Sequence, residues 1–209
     1  MTLVRAVTAP PLCASPTLAY ARGMDRAPLE DSALMLRYKD GDVAAFEELY
    51  RRHNDALYRY FLRLGGDRTA AEDLYQEAWA KIIRARANYQ PTAKFTTFLY
   101  RVAHNCFIDY VRRNERHRRK NDIDPDQQPA VDESPEMVTE SHMARERLEH
   151  ALKTLPDEQR DAFLLHEEAG LSIDDIAKVT GANREAAKSR LRYAVRKLRA
   201  AIDEPEVST

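Results

Sequence analysis

The stretch LSIDDIAKVTGANREAAKSRLRYAVRKLRA, residues 171–200, decides the fold. Its spacing predicts two short helices joined by a glycine turn. Ser172 stands where a helix N-cap is expected, with Asp175 three residues on in the acidic position of a capping box. Ile173, Ile176, Ala177 and Val179 supply the buried stripe of the first helix. Gly181 is a turn residue free to take positive φ, and Asn183 can cap the helix that follows. In that second helix Ala187, Leu191, Ala194, Val195 and Leu198 fall at i, i+4, i+7, i+8 and i+11, one apolar face. Arg184, Lys188, Arg192, Arg196 and Arg199 take the opposite side, where Glu185 is the one acid between Arg184 and Arg199. A merely solvated helix tends to mix its charges. An inward face that packs and an outward face of one sign suit a helix lying in a DNA major groove. The small Ala177, Gly181 and Ala187 also allow the close crossing of a helix-turn-helix.

Net charge conceals this feature. The 209 residues carry 33 Lys and Arg against 34 Asp and Glu, a formal charge of −1. The distribution is instead basic, acidic, basic. Arg112, Arg113, Arg116, Arg118, Arg119 and Lys120 form one block and the helix at 184–199 another, with Asp122, Asp124, Asp126, Asp132, Glu133, Glu136 and Glu140 between them. The 44% hydrophobic content can build cores, and 32% charged residues with only six Gly point to a helix-rich chain. Cys13 and Cys106 show no metal-ligand spacing, and the six histidines are scattered, so neither metal nor cofactor is expected. No apolar run approaches the roughly 20 residues that span a bilayer. Two cysteines without a disulfide framework fit the cytoplasm. Residues 1–23 faintly resemble a secretory signal, but Pro10, Pro11 and Pro16 interrupt them. Translation is expected to begin at Met24.

Upstream the pattern is helical from Ser32 to Lys120. Ser32 opens a short helix through Tyr38. Asp42 caps a longer one whose Phe46, Leu49, Tyr50, His53, Leu57, Tyr60, Phe61 and Leu64 keep 3–4 spacing, and Gly65–Gly66 ends it. Thr69 with Glu72 reads as a capping box for a helix with Leu74, Tyr75, Ala78, Trp79, Ile82 and Ile83 inward. Asp73, Gln76, Glu77 and Lys81 form the polar stripe opposite. After a break at Pro91 a further helix runs from about Thr96 into the basic block. Residues 121–140, with three prolines and many acids, read as a linker. Helix returns near Ser141, and Pro156–Asp157 opens another. The expected fold is therefore all-α: two small helical domains, an N-terminal bundle and a C-terminal helix-turn-helix, joined by a flexible acidic linker.

With both halves read, the chain resembles a bacterial RNA polymerase sigma factor of the extracytoplasmic-function class. Asp73–Leu74–Tyr75–Gln76–Glu77–Ala78–Trp79 is similar to that family's D-L-x-Q-E-x-aromatic motif. Phe95, Leu99, Tyr100, Arg101, Val102, Ala103, Asn105, Asp109 and Arg112 match the pattern that follows it. Leu155–Pro156 and Gln159–Arg160 resemble the entry to the second domain, and Lys188–Ser189–Arg190–Leu191 its recognition helix. The chain departs from the family at Phe98, where tryptophan is usual.

The resemblance implies a region 2 domain at 32–120 and a region 4 domain at 141–203. They are flanked by an extension at 1–31, the linker at 121–140 and a tail at 204–209. It implies that Asp73, Leu74, Gln76 and Glu77 dock on the β′ clamp helices of core RNA polymerase, with the β flap as a further contact. Lys94, Phe95, Tyr100, Arg101, Asn105, Arg112 and Arg113 would meet the minus-ten element, and the loop at 88–95 would capture a flipped base. Stacking aromatics and backbone cations suit single-stranded DNA. Arg184, Lys188, Ser189 and Arg192 would meet the minus-thirty-five element. An anti-sigma factor is an expected partner; no catalysis and no membrane insertion are expected. Two rivals are a free-standing helix-turn-helix regulator with a helical N-terminal domain and a helical enzyme tethered to DNA by its C-terminal module. The absence of a paired nucleophile and base, a phosphate-cradling glycine loop or a metal cluster argues against the enzyme.

Overall fold

The computed structural model describes residues 29–65, 67–121 and 140–203. The expected start at Met24, nearly all of the extension and the linker, and the tail lie outside them. Every regular element among the described residues is helical. α1 (Asp31–Lys39), α2 (Val43–Gly65), α3 (Arg68–Ala85) and α4 (Phe95–Asn121) form the first group, with a 3-10 turn at Arg86–Asn88. α5 (Glu140–Lys153), α6 (Asp157–Glu167), α7 (Ile173–Thr180) and α8 (Arg184–Asp203) form the second.

The local signals act largely where the sequence placed them. Asp42 Oδ1 accepts from the Ala45 N–H at 3.3 Å and opens α2. The capping box of α7 is present, for Ser172 Oγ accepts from the Asp175 N–H at 3.2 Å and donates to Asp175 Oδ2 at 2.7 Å. Gly181 ends α7 at φ 68°, and Asn183 Oδ1 accepts from the Ala186 N–H at 2.7 Å to start α8. Two expectations are corrected. α3 starts one residue before Thr69, and its cap is Asp67, whose carboxylate accepts from the Thr69 and Ala70 N–H groups at 3.2 and 3.1 Å. α1 begins at Asp31 without a side-chain cap. Asp31 instead accepts from Arg52 at 2.8 Å and approaches the His53 ring at 2.7 Å, tying α1 to α2.

Burial explains the first bundle. Met35, Leu49, Leu57, Phe61, Leu74, Ile82 and Leu99 are each no more than 1% exposed. Each such side chain contributes about 1.5–3 kcal/mol when removed from water. Beside them lies an aromatic cluster. The Phe46 ring meets Trp79 edge-on at 5.7 Å, Tyr50 lies 5.0 Å from Trp79, and the Tyr75 hydroxyl donates to that of Tyr50 at 2.7 Å. Trp79 is 5% exposed, so the indole belongs to the core, as its spacing predicts. In the second group α5 and α6 both pack on α8. Leu152, Leu164, Leu165, Ile176, Ala187 and Ala194 close that core.

The two groups are not held apart as beads on a tether. α7 packs on α4 and α6 on α2, and the buried apolar residues of both groups make one continuous core. Asp67→Ala is expected to cost about 1 kcal/mol of stability, the usual worth of an N-cap. Thr69→Ala should cost only a few tenths, because its backbone rather than its hydroxyl is used. Urea unfolding of the two variants checks the assignment.

Candidate nucleic-acid interface

α4 divides its circumference among three neighbours. At 100° per residue, Lys94, Phe98, Arg101, Asn105, Arg112 and Arg116 fall within about 80° of one another. Lys94, Arg101, Asn105, Arg112 and Arg116 are exposed. From Arg101 to Arg116 this face runs about 22 Å, long enough for several phosphates of a single strand. The structure therefore groups Lys94, Arg101, Asn105 and Arg112 as one accessible, mostly cationic face. Arg113 lies a further 100° around and turns to α3, where it donates to Glu77 at 3.4 Å. It stands apart from the rest.

The aromatic members of the expected minus-ten set are placed differently. Phe95 and Tyr100 are each 1% exposed. Phe95 packs between His53 at 5.4 Å and Phe98 at 6.3 Å. Tyr100 meets Tyr60 edge-on at 5.3 Å. Thr97, Tyr100 and His104 recur at i, i+3 and i+7 on a face that the second group of helices covers, which is why Tyr100 is buried. Contact between Tyr100 and a DNA strand requires that cover to move. In the loop before α4, Asn88, Gln90, Pro91 and Thr92 are exposed. Tyr89 is buried against Phe98 at 5.2 Å, and its carbonyl accepts from Lys39 Nζ at 3.0 Å.

On α3, Asp73 and Gln76 are exposed, whereas Leu74 is 1% exposed and packs inward. Leu74 thus holds the helix in place, and the polar pair is what a partner can touch. Glu77 is engaged by Lys81 at 2.9 Å and Arg113 at 3.4 Å. The hydrogen bond from Lys81 holds its carboxyl below the usual glutamate range.

On α8, Arg184, Lys188 and Arg192 are exposed and Ser189 is half-buried. Arg184 bonds Asp174 of α7 at 2.8 Å, so it braces the turn as well as facing outward. Tyr193 lies beside Arg192 on the same helix. It is 38% exposed and carries Arg192 and Arg196 over its ring at 5.4 and 5.0 Å. This extends the cationic face of α8 by one turn. The signal was present in the sequence as Arg192–Tyr193 followed by Arg196. Among the described residues no helix is long and apolar enough to cross a membrane, and no His, Cys, Asp or Glu cluster could hold a metal.

Comparison with known proteins agrees with this geometry. The sigma-70 region 2 family matches residues 49–117, and sigma-70 region 4 matches 145–198. RNA polymerase sigma factor CarQ of Myxococcus xanthus is 30% identical over 178 residues, covering 83% of this chain and 98% of that protein. ECF RNA polymerase sigma factor SigE of Mycolicibacterium smegmatis is 37% identical over 163 residues, 76% of this chain. The chain spans 63% of the length of that relative. The fold is similar to that of the sigma factor RpoE of Bartonella quintana, solved with the anti-sigma factor NepR. The TM-score is 0.65 at 22% identity, over 76% of this chain and 98% of that one. CnrH, solved with the cytosolic domain of CnrY, matches with a TM-score of 0.62 at 22% identity over 83% and 97%. The chain belongs to the sigma-70 family of RNA polymerase sigma factors, in its extracytoplasmic-function class.

The angle at which α8 is presented depends on the turn set by α7, and that dependence titrates. The Ser172 hydroxyl, then Lys178 and Lys94, hold the Asp175 carboxyl below the ordinary aspartate value of 3.8 against the opposing effect of partial burial. A depressed carboxylate contributes stability that is complete above its unfolded pKa and lost as pH falls through its folded one. Stability should therefore fall on acidification below about pH 4. Asp175→Asn should make that fall shallower while lowering stability at neutral pH, as followed by thermal melting across a pH series.

Proposed function

We propose that the chain acts as a dissociable promoter-recognition subunit: it binds core RNA polymerase, directs it to a class of promoters and assists DNA opening. The observation that carries this reading is the pairing, in one chain, of two separate cationic surfaces of the sigma type. One is the α4 face of Lys94, Arg101, Asn105 and Arg112; the other is the α8 face of Arg184, Lys188 and Arg192. The first is assigned to the minus-ten element and the second to the minus-thirty-five element, with Ser189 at its edge. Asp73 and Gln76, exposed on α3, are assigned to the β′ clamp helices, with Leu74 and Glu77 supporting them from beneath and beside. The β flap is the expected contact of the second domain.

The role is binding rather than bond-making, and its place is the cytoplasm with the polymerase. An anti-sigma protein is the expected regulator, in keeping with the structurally similar RpoE of Bartonella quintana, solved with the anti-sigma factor NepR. The free-standing regulator is disfavoured, because the family match at 49–117 spans the helices such a protein would not need for polymerase.

Capture of core polymerase by the immobilised chain tests the reading. Binding is expected, and Asp73→Ala with Gln76→Ala should weaken it at least tenfold, or about 1.4 kcal/mol. Binding that the double variant leaves unchanged would remove these residues from the polymerase contact. On a matched promoter Lys188→Ala should cost about 1–3 kcal/mol of holoenzyme affinity if its ammonium touches a base. Electrophoretic mobility shift of the holoenzyme measures it.

A further inference from the structure

α1 grips the loop that precedes α4. Lys39, at the end of α1, donates from Nζ to the Tyr89 carbonyl at 3.0 Å, although the two residues are 50 apart in sequence. The neighbouring Tyr38 lies under the Arg86 guanidinium, 5.1 Å from its ring centre. Tyr89 itself is buried against Phe98 of α4 at 5.2 Å. Ser32 and Asp31, at the start of α1, act on the Tyr89 hydroxyl, which makes no directed hydrogen bond among the described residues. The carbonyl bond is therefore the polar tie between Tyr89 and α1.

The loop has little else to fix it. Residues 89–93 lie between the 3-10 turn and α4 and belong to no helix. Among the described residues their backbone N–H groups make local bonds, from Tyr89 to the Arg86 carbonyl at 3.2 Å and from Thr92 to that of Gln90 at 2.8 Å. The Lys39 bond is the one that reaches them from another helix. Lys39 is half-buried and makes no ion pair among the described residues, so its ammonium is committed to this carbonyl. Charge-assisted bonds of this kind are stronger than neutral ones. The side chains left exposed are Asn88, Gln90 and Thr92, polar groups able to bond the edge of an unpaired base. A base leaves its stack at a cost, and a pocket that must be ordered at the same moment adds the loss of backbone freedom.

We propose that Lys39 is a positioning residue for strand opening: it pins the capture loop through the Tyr89 carbonyl, so that Asn88, Gln90 and Thr92 are in place before a base unstacks. This rests on the proposed function. Lys39 acts through the loop and touches no DNA itself.

The test compares wild type, Lys39→Met, Lys39→Arg and Arg37→Met, each as the full chain and as holoenzyme with core polymerase. Lys39→Met keeps the aliphatic stem and removes the donor. Arg37 is a cation of the same helix that bonds Asp42 rather than the loop, so it controls for charge. Hydrogen–deuterium exchange of the free chain reads the loop amides. The DNA probe is the duplex that wild-type holoenzyme selects from a randomised library. Its minus-ten element carries 2-aminopurine, whose fluorescence reports unstacking. In Lys39→Met the loop amides should exchange roughly tenfold faster. At saturating holoenzyme the fluorescence should rise roughly tenfold more slowly. The affinity of the first complex and its salt dependence should keep their wild-type values. Lys39→Arg should restore both rates, and Arg37→Met should leave both unchanged. Unaltered loop exchange in Lys39→Met overturns the proposal, as does unaltered opening. Exchange that quickens throughout α1 to α4 overturns it as general destabilisation. A salt slope lowered by about one overturns it in favour of a phosphate contact. Wild-type holoenzyme that selects no DNA would overturn the promoter-recognition reading and the task of the loop with it, while the exchange data still show whether Lys39 pins the loop.

Discussion

A carboxylate sealed at 4% exposure organises the meeting of the two domains. Asp161 is the one residue with an acidic or basic side chain among the buried residues described. An ionised group cannot leave water without partners, because the desolvation cost amounts to several kcal/mol. Asp161 obtains them from Tyr60 and His104, which lie on different helices of the first domain. Burial first, and then the carboxylate itself, push the Tyr60 hydroxyl well above the ordinary tyrosine range, so it stays a neutral donor. The contact therefore fixes α6 against both α2 and α4. Glu168, just past the end of α6, is bonded by Arg59 and Arg63 of α2 and adds a second point, which removes the freedom to pivot about the first.

α4 is where the demands on this fold converge. Its 27 residues extend about 40 Å. One side is pinned to the bundle by Phe95, Leu99, Ala103 and Cys106, another is covered by the second domain, and the third is left to solvent. Helical periodicity separates these duties without any break in the backbone. It also couples them, since a helix this continuous cannot shift its exposed face without disturbing the other two. The reach of Arg113 to Glu77 at 3.4 Å and of Lys81 to Asp109 at 3.9 Å stitches α3 to α4, so the polar stripe of α3 and the cationic face of α4 are held in fixed relation.

Most of the helices were legible in the sequence because their signals are local. Ser172, Gly181 and Asn183 act within three residues of their targets, and apolar spacing alone marks the buried faces of α2, α3 and α8. Where two local signals competed, the sequence misled: Asp67 outcompetes Thr69 as cap of α3 because its two oxygens serve two N–H groups. The exposed members of the site, such as Arg101, Asn105 and Lys188, were readable for the same reason of spacing. Phe95 and Tyr100 were not, because their burial is decided by partners elsewhere. The Tyr60–Asp161 bond joins residues 101 apart in sequence, and Arg63–Glu168 joins residues 105 apart. Within α6, Asp161 sits in DEQRDAFLL like any solvated acid. Nothing in a single sequence distinguishes it from Asp157, which is exposed. A tether was the natural expectation from an acidic linker, and closure of the domains was invisible for want of any local sign.

The aromatic cluster around Trp79 carries an optical consequence. The chain contains a single tryptophan. Its indole is buried in the first domain beside Phe46, Tyr50 and Tyr75, within 6.5 Å of each ring. Tryptophan emission from this protein thus reports on the environment of α2 and α3 alone. Melting of the second domain by itself leaves that emission nearly dark to the event, although the helical circular dichroism records it. The two spectroscopic signals therefore separate the domains without any label.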